Sequence, residues 1–332
     1  MKRYELADPA TLESLTCVER DPPRPKRDEV LVRVRATSLN FHDYLVATGV
    51  LRADAGRVPM SDGAGEVVEV GAYVTAFRVG DRVIGTFFPD WLDGAPSAAY
   101  SARMRGDHVN GFASEYVALP ARDFTLAPKS LSDVEAATLP CAAVTAWRAL
   151  VVEGEIKPGD RVLVEGSGGV SIFALQFAKL AGATVIATTS SEAKAERLRA
   201  IGADHVINYN ETPKWGAAAK KISDGGVDHV VEVVGGDLSQ SLQSVRVGGR
   251  IHLVGALSRQ PIQFPAMFAL GANARITGLT VGSRRHQQDM VRAIEAFGMK
   301  PVIDSSFAMP DLVGAFRRQE AQAHLGKICV TL

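Results

Sequence analysis

The chain has 332 residues, and its 37 lysine and arginine side chains equal its 37 aspartate and glutamate side chains. This balance provides no charged field for nucleic acid or an anionic membrane, and no apolar run approaches the roughly 20 residues that span a bilayer. The length, the absence of an apolar leader and three scattered cysteines predict a cytoplasmic protein of two domains, with neither nucleic acid nor membrane as a partner.

The first part of the chain is predicted to be rich in strands. Residues 30–36 alternate apolar and basic side chains, as a half-buried strand does, and glycine turns bound shorter strands at 65–71 and 80–85. Strand character returns at 112–119, after a loop over 87–111. A loop of this length inside a compact domain is usually functional or mobile.

Beyond residue 125 the pattern changes to helices that alternate with strands. Ser132 and Glu135 form a capping box that starts a helix, and Pro140 ends it before another helix follows. The later strands and helices are predicted at 161–165, 170–181, 184–188, 191–201, 205–207, 214–222, 227–234, 238–245, 250–254 and 275–279. Alternation of this kind needs right-handed crossovers, so it predicts an α/β domain with a doubly wound parallel sheet.

The end of the chain changes pattern again. Helices are predicted near 288–297 and 310–322, followed by a closing strand at 326–332. We therefore predict that residues 1–124 and 283–332 form one discontinuous domain. A nucleotide-binding domain over 125–282 is inserted into it.

A glycine-rich turn follows the strand at 161–165. It consists of Gly166, Ser167, Gly168, Gly169, Val170 and Ser171. It departs from the G-x-G-x-x-G pattern because serine stands at the third glycine. Free backbone N–H groups and a positive helix end make such a turn a phosphate cradle. An ordinary tight turn is the alternative, but the flanking strand and helix favour a dinucleotide site.

The end of the next strand predicts which dinucleotide binds. NAD-specific sites carry an acidic residue about 20 residues after the turn, whereas this chain has Thr189 and Ser190 there, with Lys194 in the following helix. Hydroxyls and an ammonium offer hydrogen bonds and charge to a 2′-phosphate. We therefore predict that NADP(H) is preferred over NAD(H). Lys194 as an ordinary solvated lysine is the alternative.

Several ordered motifs carry a resemblance to a known superfamily. They lie at 36–43, 61–71, 80–85, 139–147, the glycine turn and 326–328. With them the chain resembles the medium-chain dehydrogenase/reductase superfamily over essentially its whole length. Within it, the chain looks most like the zinc-independent quinone oxidoreductase-like and zinc-type alcohol dehydrogenase-like branch. The resemblance implies a GroES-like β-rich catalytic domain, a Rossmann domain, and a homodimer formed through edge strands of the Rossmann domain. The apolar residues 264–270 are a candidate part of this interface, with ordinary core as the alternative.

The resemblance also allows a test for zinc. Zinc-dependent members place cysteine, a histidine–glutamate pair and cysteine around the metal, at positions held here by Asn40, Ser61–Asp62 and Cys141. One thiolate does not supply the three protein ligands of a catalytic zinc site. The cysteines of the structural zinc lobe are also missing from residues 88–112. We expect no metal site and no zinc, with Cys141 a small buried residue.

The resemblance implies further cofactor contacts. Asn40 is placed beside the nicotinamide and its ribose, and Thr145 in the same pocket. Lys327 is placed at the pyrophosphate and Tyr209 beside the adenosine. Gly255, after the strand at 250–254, completes the predicted cofactor-binding set.

The predicted catalytic residues are Asn40, His42 and Asp43. His42 occupies the position of a proton-relaying serine or threonine in related alcohol dehydrogenases, and histidine titrates near neutral pH, so it is predicted to donate a proton. Asp43 would orient it. The alternatives are that His42 merely pairs with Asp43 and that Asp43 only stabilises its loop.

These residues predict a zinc-independent, NADPH-dependent oxidoreductase that passes a hydride to a small apolar acceptor, a quinone or an α,β-unsaturated carbonyl. Leu51 stands where acyl-thioester reductases of the superfamily carry a tyrosine, which disfavours their mechanism. One alternative is a zinc-free alcohol dehydrogenase or carbonyl reductase. Another is an NADPH-binding regulatory or structural protein without turnover.

Overall fold

The structure is a computed structural model that describes all residues, Met1–Leu332. The chain divides into two compact units. The first unit contains Met1–Val144 and Gly282–Leu332, and the second unit contains Thr145–Val281. The first unit is therefore discontinuous in sequence, and the second is inserted into it.

The structure contains 15 strands and 11 α-helices. The strands are β1 (Lys2–Glu5), β2 (Thr16–Glu19), β3 (Glu29–Ser38), β4 (Ala64–Val70), β5 (Arg82–Gly85), β6 (Tyr116–Pro120), β7 (Phe124–Leu126), β8 (Arg161–Glu165), β9 (Thr184–Thr189), β10 (His205–Asn208), β11 (Val227–Glu232), β12 (Val245–Leu253), β13 (Arg275–Gly278), β14 (Ile303–Ala308) and β15 (Lys327–Thr331). The helices are α1 (Phe41–Ala47), α2 (Ala98–Ser101), α3 (Asp133–Ala137), α4 (Val144–Trp147), α5 (Gly169–Leu180), α6 (Glu192–Ile201), α7 (Trp215–Ile222), α8 (Ser239–Ser244), α9 (Ala266–Ala272), α10 (Arg284–Phe297) and α11 (Leu312–Glu320). None of the helices is both long and apolar enough to cross a membrane.

The first unit is built on a sheet with the strand order β14-β15-β3-β4-β5-β7, and β6 pairs with β3 as well. The strand β3 organises it, as its alternating pattern predicts. Val30, Val32 and Val34 are buried against Phe112 and Phe124, whereas Arg33 faces solvent. Valine suits a pleated, half-buried surface, so this side of β3 forms the core of the sheet.

The helix α3 belongs to the first unit, so the boundary between the units lies later in the sequence than the predicted residue 125. The capping box is present: the Ser132 Oγ accepts the Glu135 N–H at 3.2 Å, and the Glu135 Oε2 accepts the Ser132 N–H at 2.7 Å. α3 packs on β3 and β4. The change of pattern near residue 125 therefore marks the first helix on this sheet, and the second unit begins only at Thr145. Pro140 lies in the first turn of the next helical segment, Leu139–Ala143, where a missing N–H is tolerated.

The second unit is a parallel sheet with the strand order β10-β9-β8-β11-β12-β13. This is the doubly wound order that the alternation of strands and helices predicts. The direction of the order reverses between β8 and β11. In open sheets of this type, ligands bind at the carboxyl ends of the strands near that reversal.

Candidate functional site

In the second unit, the glycine turn joins β8 to α5 as predicted. Gly166 has a φ of +71°, a left-handed conformation that favours glycine. No protein atom lies within 4 Å of the place where a Cβ on Gly166 or Gly168 would stand, so open space faces this backbone. Gly168 is the N-cap of α5. An exposed backbone at the start of a helix suits a pyrophosphate, so this turn is able to hold a dinucleotide.

Serine at the third glycine position has a structural role. The Ser171 Oγ donates a hydrogen bond of 2.6 Å to the Glu165 carbonyl oxygen, and Ser171 is buried. The hydroxyl thereby joins the first turn of α5 to the end of β8. Ser167 is buried beside it, and Val170 is half-buried.

The predicted 2′-phosphate residues gather at the carboxyl ends of β9 and β10. The Tyr209 N–H donates to the Thr189 carbonyl at 2.9 Å, and the Ser190 carbonyl accepts the Asn210 side-chain amide at 2.9 Å. Thr189 is buried, and its hydroxyl has no hydrogen-bond partner. Lys194 lies in the first turn of α6, whose cap is Ser191. A buried hydroxyl without a partner fits a site that a polar ligand completes.

The other two predicted cofactor residues of this unit lie on different elements. Thr145 is buried in α4. Gly255 follows β12 and packs closely against Val233, the residue after β11. A Cβ on Gly255 would stand 2.5 Å from the Val233 carbonyl oxygen. Their contacts to a cofactor stay predictions.

In the first unit, Asn40, His42 and Asp43 lie together at the start of α1. The buried Asp43 carboxylate accepts the backbone N–H groups of Asn40 at 2.9 Å and Ser61 at 2.7 Å. It also accepts the Ser61 hydroxyl at 3.1 Å. Asp43 therefore ties α1 to the loop before β4, and it also lies close to His42.

His42 is held between two carboxylates. Its Nε2 lies 3.1 Å from the Asp107 Oδ2, and its Nδ1 lies 3.6 Å from the Asp43 Oδ1. Burial lowers the pKa of His42, but the hydrogen bond to Asp107 and the negative charges of Asp107 and Asp43 outweigh it and raise the pKa to about 9. The Nδ1 is buried and has no hydrogen-bond partner. His42 is therefore protonated at neutral pH, with its Nδ1 next to the Asp43 carboxylate and its Nε2 on Asp107.

Sequence reasoning missed Asp107, which lies 65 residues from His42 along the chain. It also missed Asp62 as a partner of Lys327. The Lys327 ammonium is buried, donates to the Asn40 Oδ1 at 2.5 Å and to the Leu39 carbonyl at 2.7 Å, and lies 3.2 Å from the Asp62 Oδ2. The contact of Lys327 with a pyrophosphate stays a prediction, and in this structure its partners are protein oxygens.

The residues at the zinc-ligand positions do not fit a catalytic zinc ion. The Asn40 side-chain amide donates to the Ser61 hydroxyl at 3.2 Å, and the Asn40 oxygen already accepts a hydrogen bond from the Lys327 ammonium. Burial and the nearby Asp62 raise the pKa of the Cys141 thiol well above its usual range, which disfavours the thiolate that binds metals. No three histidine, cysteine or acidic side chains are grouped to hold a metal.

The loop at 87–111 carries a series of aromatic rings that starts at His42. The His42 and Phe87 rings are 5.1 Å apart, and the Trp91 and Tyr100 rings are stacked at 5.7 Å. Phe87, Phe88 and Trp91 are buried. These three residues anchor the loop in the core, and the half-buried Tyr100 stacks on Trp91.

Comparison with known proteins extends over the whole chain. Residues 26–129 match the alcohol dehydrogenase GroES-like domain, and residues 169–305 match the zinc-binding dehydrogenase family. A zinc-type alcohol dehydrogenase-like protein of Schizosaccharomyces pombe is 42% identical over 94% of this chain and 93% of its own length. A crystal structure described as an alcohol dehydrogenase of Sinorhizobium meliloti has a TM-score of 0.94 and 40% identity, over 100% of this chain and 98% of that one.

A further solved structure contains ligands. It is the 2-octenoyl-CoA carboxylase reductase CinF in complex with NADP and 2-octenoyl-CoA. It is 26% identical to this chain with a TM-score of 0.87, over 99% of this chain and 87% of that one.

Proposed function

The chain belongs to the medium-chain dehydrogenase/reductase superfamily, in its zinc-type alcohol dehydrogenase-like branch, with a GroES-like domain and a Rossmann-like domain, and from this membership we propose its reaction. It is an oxidoreductase of the pyridine-nucleotide-binding type. We propose that it uses NADPH, without zinc, to reduce a quinone or an α,β-unsaturated carbonyl compound. The observation that carries this proposal is His42, which is held protonated between Asp43 and Asp107.

The preference for NADPH is supported by the end of β9. Thr189 supplies a buried hydroxyl without a partner, Ser190 follows it, and Lys194 brings a positive charge into the first turn of α6. No acidic side chain stands at 189 or 190 to repel a 2′-phosphate. CinF, which is similar to this chain, was solved with NADP.

The chain's own contribution to the chemistry is a proton. NADPH, when bound, supplies a hydride. The His42 imidazolium is the proposed source of this proton for the reduced acceptor. Asp107 and Asp43 favour the protonated form of His42, and Asp43 also fixes α1, which carries His42.

The proposed acceptor follows from the absence of suitable metal ligands at Asn40, Ser61 and Cys141. A conjugated acceptor delocalises the charge that arrives with the hydride, so it depends less on a Lewis acid than a simple ketone does. We expect purified protein to contain less than stoichiometric zinc and to keep its activity in a chelator. One zinc ion per chain by metal analysis would show this part of the proposal to be wrong.

A reductase assay tests the proposal directly. Full-length protein is supplied with NADPH or NADH and with quinones, enones, simple ketones and alcohols, and cofactor absorbance is followed. We expect turnover of quinones or enones with NADPH. Turnover only of ketones or alcohols would support the alternative of a zinc-free alcohol dehydrogenase. Several relatives are named alcohol dehydrogenase or alcohol dehydrogenase-like. Tight NADPH binding without any turnover would support a regulatory role.

We also propose that the protein is a homodimer formed through the second unit. The strand β13 is the edge of its sheet, and an edge presents unpaired backbone groups to another strand. Beside it in sequence, α9 exposes apolar side chains: Met267 is 72% and Leu270 is 65% exposed. A second copy of the chain would cover both features. The cytoplasmic location stays a prediction, with the cysteines Cys17, Cys141 and Cys329 unpaired.

A further inference from the structure

Two neighbouring strands of the second unit end in glutamate at the point where the strand order reverses. Glu165 is the last residue of β8 and Glu232 is the last residue of β11. Both side chains are buried, and both contact the hydroxyl of Ser241 in α8. The Ser241 Oγ lies 2.8 Å from the Glu165 Oε1 and 2.6 Å from the Glu232 Oε2.

The number of hydrogen atoms available at this contact determines the protonation state of the two glutamates. A serine hydroxyl has one proton, and an ionised carboxylate only accepts hydrogen bonds. Ser241 therefore donates fully to only one glutamate, and the two carboxyl groups, which also hydrogen-bond to each other, need one proton between them. Without that proton, a hydroxyl lone pair would face a buried carboxylate.

The proton belongs to Glu165. The Glu232 Oε1 accepts the backbone N–H groups of Val234 and Gly235, both at 3.0 Å, and these stabilise its negative charge. Burial raises the pKa of Glu165 well above its usual range, and the neighbouring charge of Glu232 raises it further.

No cation offsets this pair. The groups that act on the Glu165 carboxyl are Glu232, the Ser241 hydroxyl and the Val233 backbone. On the other side, Glu165 pairs in the sheet with Thr188 of β9, which is uncharged, and α5 presents the Ser171 hydroxyl to the Glu165 carbonyl. Loss of the proton would thus leave two buried negative charges in contact through one hydroxyl.

The same residues define the two loops at this edge of the sheet. Glu165 immediately precedes the glycine turn, and its carbonyl accepts the Ser171 hydroxyl. Glu232 holds the turn after β11, where Gly235 and Gly236 have φ values of +72° and +75°. The chain Glu165–Ser241–Glu232 therefore joins the loop after β8 to the loop after β11.

We propose that Glu165 is a positioning residue for the dinucleotide: as a neutral acid it ties the glycine turn to the loop after β11 through Ser241 and Glu232, and loss of its proton releases the tie and weakens dinucleotide binding. The proposal rests on the dinucleotide role of the glycine turn. Proton and cofactor binding are then linked, so each strengthens the other.

The test measures NADPH affinity against pH. Binding to full-length protein is followed by cofactor fluorescence between about pH 7 and about pH 10, where ordinary glutamates stay ionised. We expect affinity to fall by about tenfold or more as Glu165 loses its proton. Glu165→Gln keeps a donor toward Ser241 without an ionisable proton. Relative to its own affinity at neutral pH, this variant should lose the alkaline decline.

The companion variant is Glu232→Gln. It removes the charge that raises the Glu165 pKa further, so the alkaline decline should begin at a lower pH than in the wild type. An equal decline in the wild type and in Glu165→Gln would overturn the proposal, since other groups would then be responsible. If the Glu165→Gln protein does not fold, infrared spectroscopy of the wild type still tests the proposal. Asp62 and Asp123 are also buried with raised pKa values, so the band is assigned with Ser241→Ala, which removes the hydroxyl that contacts Glu165. A protonated carboxylic acid band at about pH 8 that shifts in Ser241→Ala supports the proposal, because unperturbed carboxyls are ionised there; absence of the band, or a band that does not shift, contradicts it. If NADPH and NADH bind at no pH, the proposed function fails, while the infrared result still tests Glu165.

Discussion

At the scale of single residues, His42 is governed by its two carboxylate neighbours. Its ordinary pKa is about 6.5, and Asp107 and Asp43 raise it to about 9 in the folded protein. A pKa raised by folding stabilises the fold fully below about pH 6.5, and this stabilisation is lost as pH rises through about 9. Any reaction step that uses this proton follows the same pH range.

We expect Asp107→Asn to shift the alkaline loss of activity to lower pH. The variant removes one charge and weakens the hydrogen bond to the Nε2, so burial then lowers the pKa of His42 with less opposition. The measurement is kcat/KM against pH with the best acceptor. Asp93→Asn, an exposed residue of the same loop, is the control and should leave the profile unchanged. An unchanged profile in Asp107→Asn would mean that His42 is not the proton donor.

Lys194 determines, in our proposal, how the protein distinguishes the two cofactors. We expect Lys194→Ala to weaken NADPH binding by about tenfold to hundredfold, the loss for a hydrogen bond to a charged group, and to change NADH binding little. Titration of both cofactors by calorimetry measures the ratio. Arg199→Ala, which removes a charge paired with Glu192 on the same helix, is the matched control. Equal losses for both cofactors in Lys194→Ala would contradict a contact with the 2′-phosphate.

At the scale of elements, the strands and helices with a local sequence signal were predicted. Those that depend on packing against distant residues were not. The alternation in β3, the capping box of α3 and the β8–turn–α5 unit are local, and the structure confirms them. The helix α9 shows no amphipathic pattern in the sequence because all of its residues are apolar or glycine. The helix α1 was not predicted, although Asn40 and Asp43 are spaced as an N-cap and the third helical residue.

The loop at 87–111 is anchored by a buried ion pair. The Arg105 guanidinium lies 2.6 Å from the Asp123 carboxylate, and both side chains are about 1–2% exposed. Arg105 also donates to the Asn110 carbonyl at 3.1 Å. Since Asp107 lies between these contacts in sequence, the ion pair also holds the partner of His42 in place.

We expect Asp123→Ala to lower the free energy of unfolding by about 3–5 kcal/mol, because it leaves the buried Arg105 charge without a partner. Denaturant unfolding followed by tryptophan fluorescence measures the change, since Trp91 is in this loop. Arg103→Ala removes the more exposed pair with Asp90 and should cost less than about 1 kcal/mol. Similar costs for both variants would show that the Arg105–Asp123 pair is not an anchor.

At the scale of the whole molecule, the candidate site depends on contacts between distant parts of the chain. Lys327 lies 288 residues from Leu39 in sequence, yet its ammonium donates to the Leu39 carbonyl. The pairing of β15 with β3 creates this contact. Residue types at motif positions predicted Asn40, His42 and Asp43 as neighbours. The identity of their partners Asp62 and Asp107 follows only from the three-dimensional sheet, because no local spacing relates them.

The last prediction concerns the proposed homodimer. Edge-strand pairing would bring α9 of each copy close to the partner, so charges there would have to be desolvated. We expect the wild type to be a dimer by size-exclusion chromatography with light scattering, and the double variant Met267→Glu, Leu270→Glu to be a monomer. Phe297→Glu, on an equally exposed apolar residue of the first unit at 62% exposure, should stay dimeric. A monomeric wild type would contradict the dimer. A dimeric double variant would show that α9 lies outside the interface.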